Sequence, residues 1–441
     1  VRRSPVQMLE SGPAAGALAA ADIGRAEGLE HILAFDMGGT TAKLCLIDGD
    51  EPEIAYRFEA AREKRFAEGS GLPIRISTVE LIEIGAGGGS IARLDGLGLL
   101  KAGPDSAGAV PGPVAYGRGG RQPTVTDADF ALGYLGADGF AGGAIEVDLA
   151  GSQAALDELA AEAGLSAEKL AWGVHDLVNE NMASAARVHI AEKGRDPRNY
   201  TLVATGGAGP VHAYGMARKL GIRRIVCPRN AGVASALGLL LAPARVDRTA
   251  AFAAPLNDMD WPRLEGAFRE LELEAAQVIA DTGKAAGRVQ RLADMRNIGQ
   301  GYELVVNLPD GPYGAESAAR IQDAYARAYE NHFTRPPPNV PVAIATIRVR
   351  LTAPAEAAAN HATGSEERSS ARTGSRDVYF AEADGMLDTV VLNRAAMTAA
   401  DSHAGPAVVE EAESTMVIGP GGRFHISASG NLIIELPEDG A

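Results

Sequence analysis

The stretch ILAFDMGGTTAKLCLI, residues 32–47, decides the fold of this chain. Apolar runs flank the adjacent Gly38 and Gly39, and this pattern predicts two buried strands joined by a tight hairpin. Backbone N–H groups in such a turn can converge on one point and bind phosphate, with the hydroxyls of Thr40 and Thr41 beside them. Asp36, just before the turn, suits a magnesium ion or its water ligands. A plain glycine hairpin explains the stretch equally well, so a nucleotide site needs a second element.

The stretch YTLVATGGAGPVHA, residues 200–213, is a candidate for that second element. It predicts a strand, a turn made by Gly206, Gly207, Ala208 and Gly209, and then a helix. A glycine turn lets a flat ligand lie against bare backbone near a helix N-terminus. A simple connection between strand and helix would need one glycine rather than three.

Composition narrows the class of protein. The chain has 441 residues, of which 46% are hydrophobic and 22% charged, as in globular proteins. Acidic residues outnumber basic ones by 57 to 41, giving a net charge of −16, which argues against nucleic acid or an anionic membrane as a partner. No run approaches the ~18 apolar residues of a membrane helix. Cys45 and Cys227 lie in apolar runs and indicate buried thiols in a reducing cytoplasm.

Glycine clusters between residues 84 and 120, where we expect ordered loops that approach a ligand or cross another segment. A helix then begins with Thr126 or Asp127 as its N-cap. A longer helix is predicted from about residue 167 to 193, and its apolar stripe keeps the helical period. We expect the stripe to contain the following residues: Leu170, Val174, Leu177, Ala185 and Val188.

The sequence after residue 245 predicts a different arrangement of helices and strands. A helix is predicted around residues 264–278, a mobile loop at 353–376, and short strands from there towards residue 435. We therefore expect two domains, residues 1–245 and 246–441, the second with a β-rich end.

Other motifs carry little weight. The chain has no Walker-A loop, no Cys-x-x-Cys pair and no Gly-x-Ser-x-Gly elbow. His175 and His189 fall on the long helix, and His212 follows the second glycine turn. Structural roles are expected for these histidines, with His212 the best exception because it flanks that turn.

The order of a hairpin, a long helix, a strand with a glycine turn and a helix fits one half of an actin-like ATPase. The sequences of the individual segments are more specific than their order. In them the chain resembles the hydantoinase A/5-oxoprolinase family, which also includes subunits of acetone and acetophenone carboxylases. The matching stretches are PVQMLESGPAAG (5–16), LAFDMGGTTAK (33–43), RFAEGSGLP (65–73), IEIGAGGGSIARLD (82–95), GPDSAGAVPGPVAYGRGGRQPTVTDAD (103–129), VNENMASAARVHIAEKGRDPRNYTLVATGGAGPVHA (178–213), GVASALGLLLAP (232–243), GQGYEL (299–304) and GPAVVEEAESTMVIGPGG (405–422).

The resemblance implies an α/β fold, with an actin-like (ribonuclease H-like) ATPase half and a β-rich C-terminal domain. It also implies ATP and Mg²⁺ as cofactors and phosphorylation of a small cyclic amide such as 5-oxoproline or a hydantoin. Hydrolysis would be completed by a hydantoinase B-type subunit in a hetero-oligomer. The site residues implied are Asp36 and Asp127 for catalysis, Asp36 for the metal, and Gly38, Gly39, Thr40, Thr41, Gly206, Gly207, Ala208 and Gly209 for the nucleotide.

The chain departs from the family at several positions. Lys43 stands where many relatives carry an acid, Ala115 where they often carry cysteine, and Thr205 where they usually carry an aromatic residue. An earlier phosphate hairpin is missing before Asp36, so we expect a C-terminal part of the family's chain. An ATP-dependent carboxylase subunit, or a nucleotide-binding module without turnover, remains an alternative.

Overall fold

The protein is described by a computed structural model that covers residues 5–49, 51–56, 58–60, 70–74, 76–354, 371–399 and 402–437. The chain forms two compact units. Unit 1 contains residues 1–240 and 362–441, and unit 2 contains residues 241–361. The expected domain division at residue 245 stays a prediction.

Eight α-helices occur in the described residues. They are α1 (Ser11–Glu27), α2 (Val125–Ala131), α3 (Leu149–Ala163), α4 (Ala167–Glu192), α5 (Gly209–Leu220), α6 (Ala234–Leu241), α7 (Trp261–Asp281) and α8 (Ser317–Phe333).

The strands in the same residues are mostly short. They are β1 (His31–Met37), β2 (Ala42–Asp48), β3 (Ile54–Ala55), β4 (Phe58–Ala60), β5 (Leu72–Ile74), β6 (Thr78–Val79), β7 (Ile82–Ile84), β8 (Ser90–Leu94), β9 (Leu100–Ser106), β10 (Thr201–Thr205), β11 (Arg224–Cys227), β12 (Arg245–Pro255), β13 (Arg288–Asn297), β14 (Leu304–Asn307), β15 (Val342–Thr352), β16 (Arg372–Phe380), β17 (Gly385–Asn393), β18 (Ser402–Ala404), β19 (Ala407–Glu410), β20 (Thr415–Ile418), β21 (Arg423–Ile426) and β22 (Leu432–Glu435).

An eight-stranded mixed sheet forms the centre of unit 1, in the order β18-β21-β22-β11-β10-β1-β2-β7. The predicted hairpin is confirmed, because β1 and β2 pair antiparallel with Asp36 opposite Lys43. Strand β10, which leads into the second glycine turn, pairs with β1 in parallel. The carboxyl end of β10 therefore lies next to that of β1 at one edge of the sheet, where the hairpin turns.

The central strands β1, β2, β10 and β11 are buried at most positions, which explains why these four strands are largely apolar. On one face, Leu33 and Phe35 belong to a large core that also includes the inner faces of α4 and α5. On the other face, Ile32 and Ala34 pack with the alanines of α1. The result is a helix–sheet–helix sandwich, and the predicted α/β, actin-like fold class is confirmed.

Helix α4 follows the predicted period and begins with Ser166, whose hydroxyl accepts from the Lys169 N–H as an N-cap. Leu170 and Val174 are fully buried as expected. Val188 was wrongly included in the buried stripe, since it is 40% exposed. Asn179, in the middle of α4, is completely buried.

A second sheet in unit 1 has the order β16-β17-β19-β20. Its first strand, Arg372–Phe380, corrects the prediction of a loop up to residue 376, because β16 pairs along its length with β17. The part of that predicted loop at 355–370 lies outside the described residues. The strands predicted near 407–410 and 432–435 are confirmed as β19 and β22.

Unit 2 is a separate α+β body with a four-stranded antiparallel sheet, β12-β15-β13-β14. Helices α7 and α8 supply the other side of its core, led by Phe268 and Tyr325. The predicted helix around 264–278 is α7, which Asp260 caps by accepting from the Arg263 N–H and in which Pro262 lies in the first turn. Its buried stripe ends with Ala275 and Ile279.

Two further sequence expectations concern the thiols and the membrane. Cys45 and Cys227 are free and buried. None of the helices in the described ranges combines the length and the apolar character needed to cross a membrane.

A close contact between α1 and α6 in unit 1 depends on a glycine. A methyl group added at Gly238 would lie 1.9 Å from the carbonyl oxygen of Ala15. We therefore expect Gly238→Ala to cost about 2 kcal/mol of stability through overpacking and to lower the melting midpoint by about 5 °C. Differential scanning fluorimetry would measure the shift. Gly12→Ala in α1 is the matched control, since nothing lies within 4 Å of its added methyl group. An equal shift of the melting midpoint in both variants would contradict overpacking at Gly238 as the cause.

Candidate functional site

The hairpin turn presents open backbone donors. The N–H of Gly38 is used within the turn, donating to the Thr41 carbonyl at 3.1 Å. Gly39 and Thr40 are exposed, and among the described residues their N–H groups donate no hydrogen bond. Gly39 and Thr40 therefore offer N–H groups to an anion, whereas the N–H of Gly38 does not.

The glycine-rich segment at residues 85–89 packs against this turn and hydrogen-bonds to it. The N–H of Gly88 donates to the Gly38 carbonyl at 3.1 Å, and that of Gly89 to the Gly39 carbonyl at 2.7 Å. A methyl group at Gly87 would lie 2.6 Å from the nitrogen of Thr40. Gly87 and Gly89 are thus needed where this backbone crosses that of the hairpin turn.

The second glycine turn also reaches the hairpin. The N–H of Ala208 donates to the Met37 carbonyl at 3.0 Å. Gly206 has a φ of +84°, and an added methyl group would lie 2.3 Å from the same carbonyl oxygen. The left-handed backbone and the close approach both require glycine here. The two elements predicted from the sequence are therefore in direct contact.

Helix α5 begins at Gly209, immediately after this turn. Its N-cap residue, Ala208, makes no side-chain capping bond, and Gly207 beside it is exposed. Unsatisfied N–H groups and the positive end of the helix dipole favour an anion at such a terminus. The 405–422 segment lies beside this turn, because the carbonyl oxygen of Glu413 is 3.4 Å from a methyl group built at Gly207.

Asp36 is half-buried at the centre of this arrangement. Methyl groups built at Gly16 of α1 and at Gly206 would lie 3.1 Å and 2.5 Å from its two carboxylate oxygens. Among the described residues its carboxylate accepts no hydrogen bond, which suits a ligand for a hard cation such as Mg²⁺. Burial raises the pKa of Asp36, and the charge of Lys43 partly opposes this shift.

Lys43 is more than strand surface. Its side chain is 22% exposed and pairs with Glu83 at 3.2 Å. Its ammonium also donates to the hydroxyl of Thr41. Lys43 therefore places a positive charge beside the hairpin turn. Thr205 donates to the Phe35 carbonyl from a buried position, which ties β10 to β1.

Asp127 lies elsewhere and has structural partners. Its buried carboxylate accepts from the N–H groups of Val114, Ala115 and Thr124 and from the hydroxyls of Thr124 and Ser152, at 2.8–3.2 Å. The predicted N-cap was wrong, because Thr124 caps α2 and Asp127 completes a capping box three residues later. A catalytic role for Asp127 stays a prediction that this geometry does not favour.

Thr126 provides a link that the sequence did not reveal. Its N–H and its hydroxyl both donate to the Gly88 carbonyl, at 2.8 and 2.9 Å. The first turn of α2 therefore holds the glycine loop that in turn supports the hairpin.

A buried cluster of Asp129, His175 and His212 was also not foreseen. His175 Nδ1 lies 2.7 Å from Asp129 Oδ1, and His212 Nε2 lies 3.5 Å from Asp129 Oδ2. Burial alone would raise the pKa of Asp129, but His212 and His175 hold it below its usual value. Burial, followed by the neighbouring His212, lowers the pKa of His175. The only sequence signal was the position of His212 beside the glycine turn.

Known families match nearly the whole chain. The pattern of the Hydantoinase/oxoprolinase family matches residues 1–248, and that of the Hydantoinase/oxoprolinase C-terminal domain matches residues 258–433. The chain is 35% identical over 434 residues to the uncharacterized protein MJ0964 of Methanocaldococcus jannaschii, covering 98% of this chain and 62% of that protein. It is 31% identical over 440 residues to caprolactamase subunit alpha of Pseudomonas jessenii, covering 97% of this chain and 62% of that subunit.

Two solved structures have the same fold. The crystal structure of ATP-dependent caprolactamase from Pseudomonas jessenii superposes with a TM-score of 0.79 at 30% identity, over 96% of this chain and 61% of the other. A nucleotide-free acetone carboxylase gives a TM-score of 0.76 at 26% identity, over 97% and 61%. The chain thus spans about three fifths of the length of these relatives.

The two aspartates are expected to respond differently to substitution. Asp127→Asn replaces one carboxylate oxygen by an amide NH2, which donates and would face buried N–H and O–H donors, so it should cost about 3 kcal/mol of stability. Asp36→Asn removes a carboxylate whose ionised form burial disfavours, so stability should be unchanged or higher. Thermal unfolding of both variants would measure this. A stable but inactive Asp127→Asn variant would instead support a catalytic role for Asp127.

Proposed function

Because the chain belongs to the hydantoinase/oxoprolinase family, we propose that it is the ATP-binding subunit of an ATP-dependent cyclic-amide hydrolase. Its substrate would be of the 5-oxoproline or hydantoin type. In the proposed reaction the amide oxygen attacks the γ-phosphorus of ATP, the bond from that phosphorus to the bridging oxygen breaks, and ADP leaves. Water would then add to the O-phosphorylated ring carbon, and the ring C–N bond would break to give an amine and an acyl phosphate. A second water would release phosphate from that acyl phosphate and leave a carboxylate.

One observation carries this proposal. Within unit 1, the open N–H groups of Gly39 and Thr40, the uncapped start of α5 and the half-buried Asp36 carboxylate are brought together by direct contacts between β1 and the 206–209 turn. Phosphoryl transfer depends mainly on positioning and on neutralising charge. A cradle of N–H groups beside an unpartnered carboxylate has the features needed for that chemistry.

Each residue then has a proposed part. Gly39 and Thr40 would donate N–H groups to phosphate oxygens, and the 206–209 turn would lie along the adenosine. Asp36 would bind Mg²⁺, and Lys43 would add positive charge through its contact with Thr41. ATP would supply the phosphoryl group and Mg²⁺ would neutralise its charge.

We propose that the ring is opened together with a hydantoinase B-type subunit in a hetero-oligomer. Support comes from the similar caprolactamase chain, which is named as subunit alpha of its enzyme. Alone, the chain would hydrolyse a lactam poorly. The buried free thiols support a cytoplasmic setting.

A carboxylase subunit is the second candidate, supported by the structural similarity to acetone carboxylase. There, phosphorylation would activate bicarbonate or a ketone enolate rather than an amide. A nucleotide-binding module without turnover is the third.

Substrate-dependent ATP turnover separates these functions. The protein would be mixed with the B-type subunit and Mg-ATP, and phosphate release would be measured with 5-oxoproline, a hydantoin, ε-caprolactam, or acetone plus bicarbonate. We expect release to rise at least about tenfold with a cyclic amide. Stimulation only by the ketone with bicarbonate would favour the carboxylase, and no stimulation by any substrate would contradict turnover.

The role of Asp36 can be tested on binding alone. Because its carboxylate is the proposed Mg²⁺ ligand, Asp36→Asn should weaken Mg-ATP binding about tenfold in isothermal titration while leaving binding of metal-free ATP nearly unchanged. Asp22→Asn on the exposed side of α1, where the carboxylate pairs with Arg25, is the matched control. Equal loss with and without Mg²⁺ would contradict a metal role.

A further inference from the structure

Strand β11 ends beside the second glycine turn. It pairs in parallel with β10, so the segment that follows it, residues 229–232, lies at the same edge of the sheet as the 206–209 turn. The two segments are in direct contact, because the N–H of Gly206 donates to the Ala231 carbonyl at 2.9 Å. Ligands of open α/β sheets bind at the carboxyl ends of parallel strands. The 229–232 segment therefore borders the surface on which the adenosine is proposed to lie.

Asn230 has a left-handed backbone in this segment, with a φ of +57° and a ψ of 44°. Glycine is the default residue for this conformation, although asparagine is tolerated. Asn230 is exposed, and among the described residues its side-chain amide makes no hydrogen bond. The chain thus carries an available amide at a point where the backbone would accept glycine.

A turn from the second sheet of unit 1 holds Asn230 in place. Residues 411–414 join β19 to β20, and the Glu411 carboxylate accepts from the N–H of Asn230 at 3.4 Å. The guanidinium of Arg394, which is 1% exposed, lies 3.8 Å from the same carboxylate oxygen. The hydroxyl of Ser414 donates to the other oxygen at 3.0 Å. Because Asn230 is fixed through its backbone, little ordering is needed when a ligand arrives.

The surface next to Asn230 is open backbone. Gly207 is exposed, and a methyl group built on it would lie 3.4 Å from the Glu413 carbonyl oxygen. A methyl group at Gly232 would lie 2.6 Å from the same oxygen. Three segments therefore meet here at distances that require glycine, and a planar ring can lie against such backbone.

The chemistry of a side-chain amide distinguishes between purines. An asparagine offers one donor, Nδ2, and one acceptor, Oδ1, side by side. Adenine presents the matching pair on one edge, the N6 amino group and the N7 acceptor, and asparagine forms two hydrogen bonds with that edge. A 6-oxopurine such as guanine or hypoxanthine presents two acceptors there, so one of them would face Oδ1 without a hydrogen.

We propose that Asn230 selects ATP over 6-oxopurine nucleotides by hydrogen bonding to N6 and N7 of the base. This role rests on the proposed function, in which the 206–209 turn binds the adenosine, and it adds the residue that sets the base specificity. Asn230 would act on nucleotide binding and take no part in phosphoryl transfer.

Isothermal titration of the protein with Mg-ATP and Mg-ITP tests this role, because ITP carries an oxygen in place of the N6 amino group. The unaltered protein should prefer ATP by at least about tenfold. Asn230→Gly keeps the left-handed backbone but removes the amide, so it should lower that preference at least about fivefold by weakening ATP binding alone. Asn199→Gly is the matched control, since Asn199 is exposed in a turn before the other end of β10; it should keep the full preference.

A third nucleotide makes the test independent of the variants. The unaltered protein should bind 7-deaza-ATP, which lacks the N7 acceptor, about tenfold more weakly than ATP, whereas Asn230→Gly should bind the two equally. Equal binding of both by the unaltered protein would overturn the proposal. An unchanged preference for ATP over ITP in Asn230→Gly, or an equal loss of both nucleotides, would also overturn it and leave the proposed function intact. Failure of the unaltered protein to bind Mg-ATP would instead contradict the proposed function, and this role with it.

Discussion

The site of unit 1 depends on backbone meeting backbone at the end of β1. Gly87 lies against the Gly39–Thr40 peptide, and Gly206 lies against the Met37 carbonyl, at distances where a single methyl group would collide. These contacts hold the peptides of the turn in place, with the open N–H groups of Gly39 and Thr40 near the half-buried carboxylate of Asp36. Rigid donors of this kind need little reorganisation when an anion arrives, which is why such loops serve phosphate chemistry.

Much of this frame could be predicted from the sequence because its signals are local. The strands β1, β2 and β10 are short apolar runs, and the glycine turns follow them directly in the chain. The glycine cluster at residues 84–120 predicted that the backbone there approaches another segment or a ligand. The crossing at Gly87 is such an approach. The fold class and the family could be predicted from the order and the amino-acid sequences of these strands and glycine turns.

The remaining features were missed because they depend on contacts between residues distant in sequence. Asp127 looked like a helix cap or a catalytic acid, but its partners include Ala115 and Ser152 on other segments. The Asp129–His175–His212 cluster joins three helices across more than 80 residues of chain, and no local sequence pattern covers such a set. The first half of β16, residues 372–376, was predicted as loop because its polar, glycine-containing sequence is ordered by pairing with β17, which lies further along the chain.

The pairing of β11 with β22 has a consequence for how the protein is made. Residues 224–227 emerge from the ribosome about two hundred residues before their antiparallel partners at 432–435, and all of unit 2 is synthesised in between. Until then β11 is an open edge of a growing sheet, with its hydrogen-bonding groups available to other chains. Unit 2 has its own hydrophobic core and is synthesised entirely within that interval, whereas the central sheet of unit 1 is completed only when β22 is made. Folding of this chain is therefore expected to run from the middle outwards, and the nascent unit 1 is the stage most in need of a chaperone.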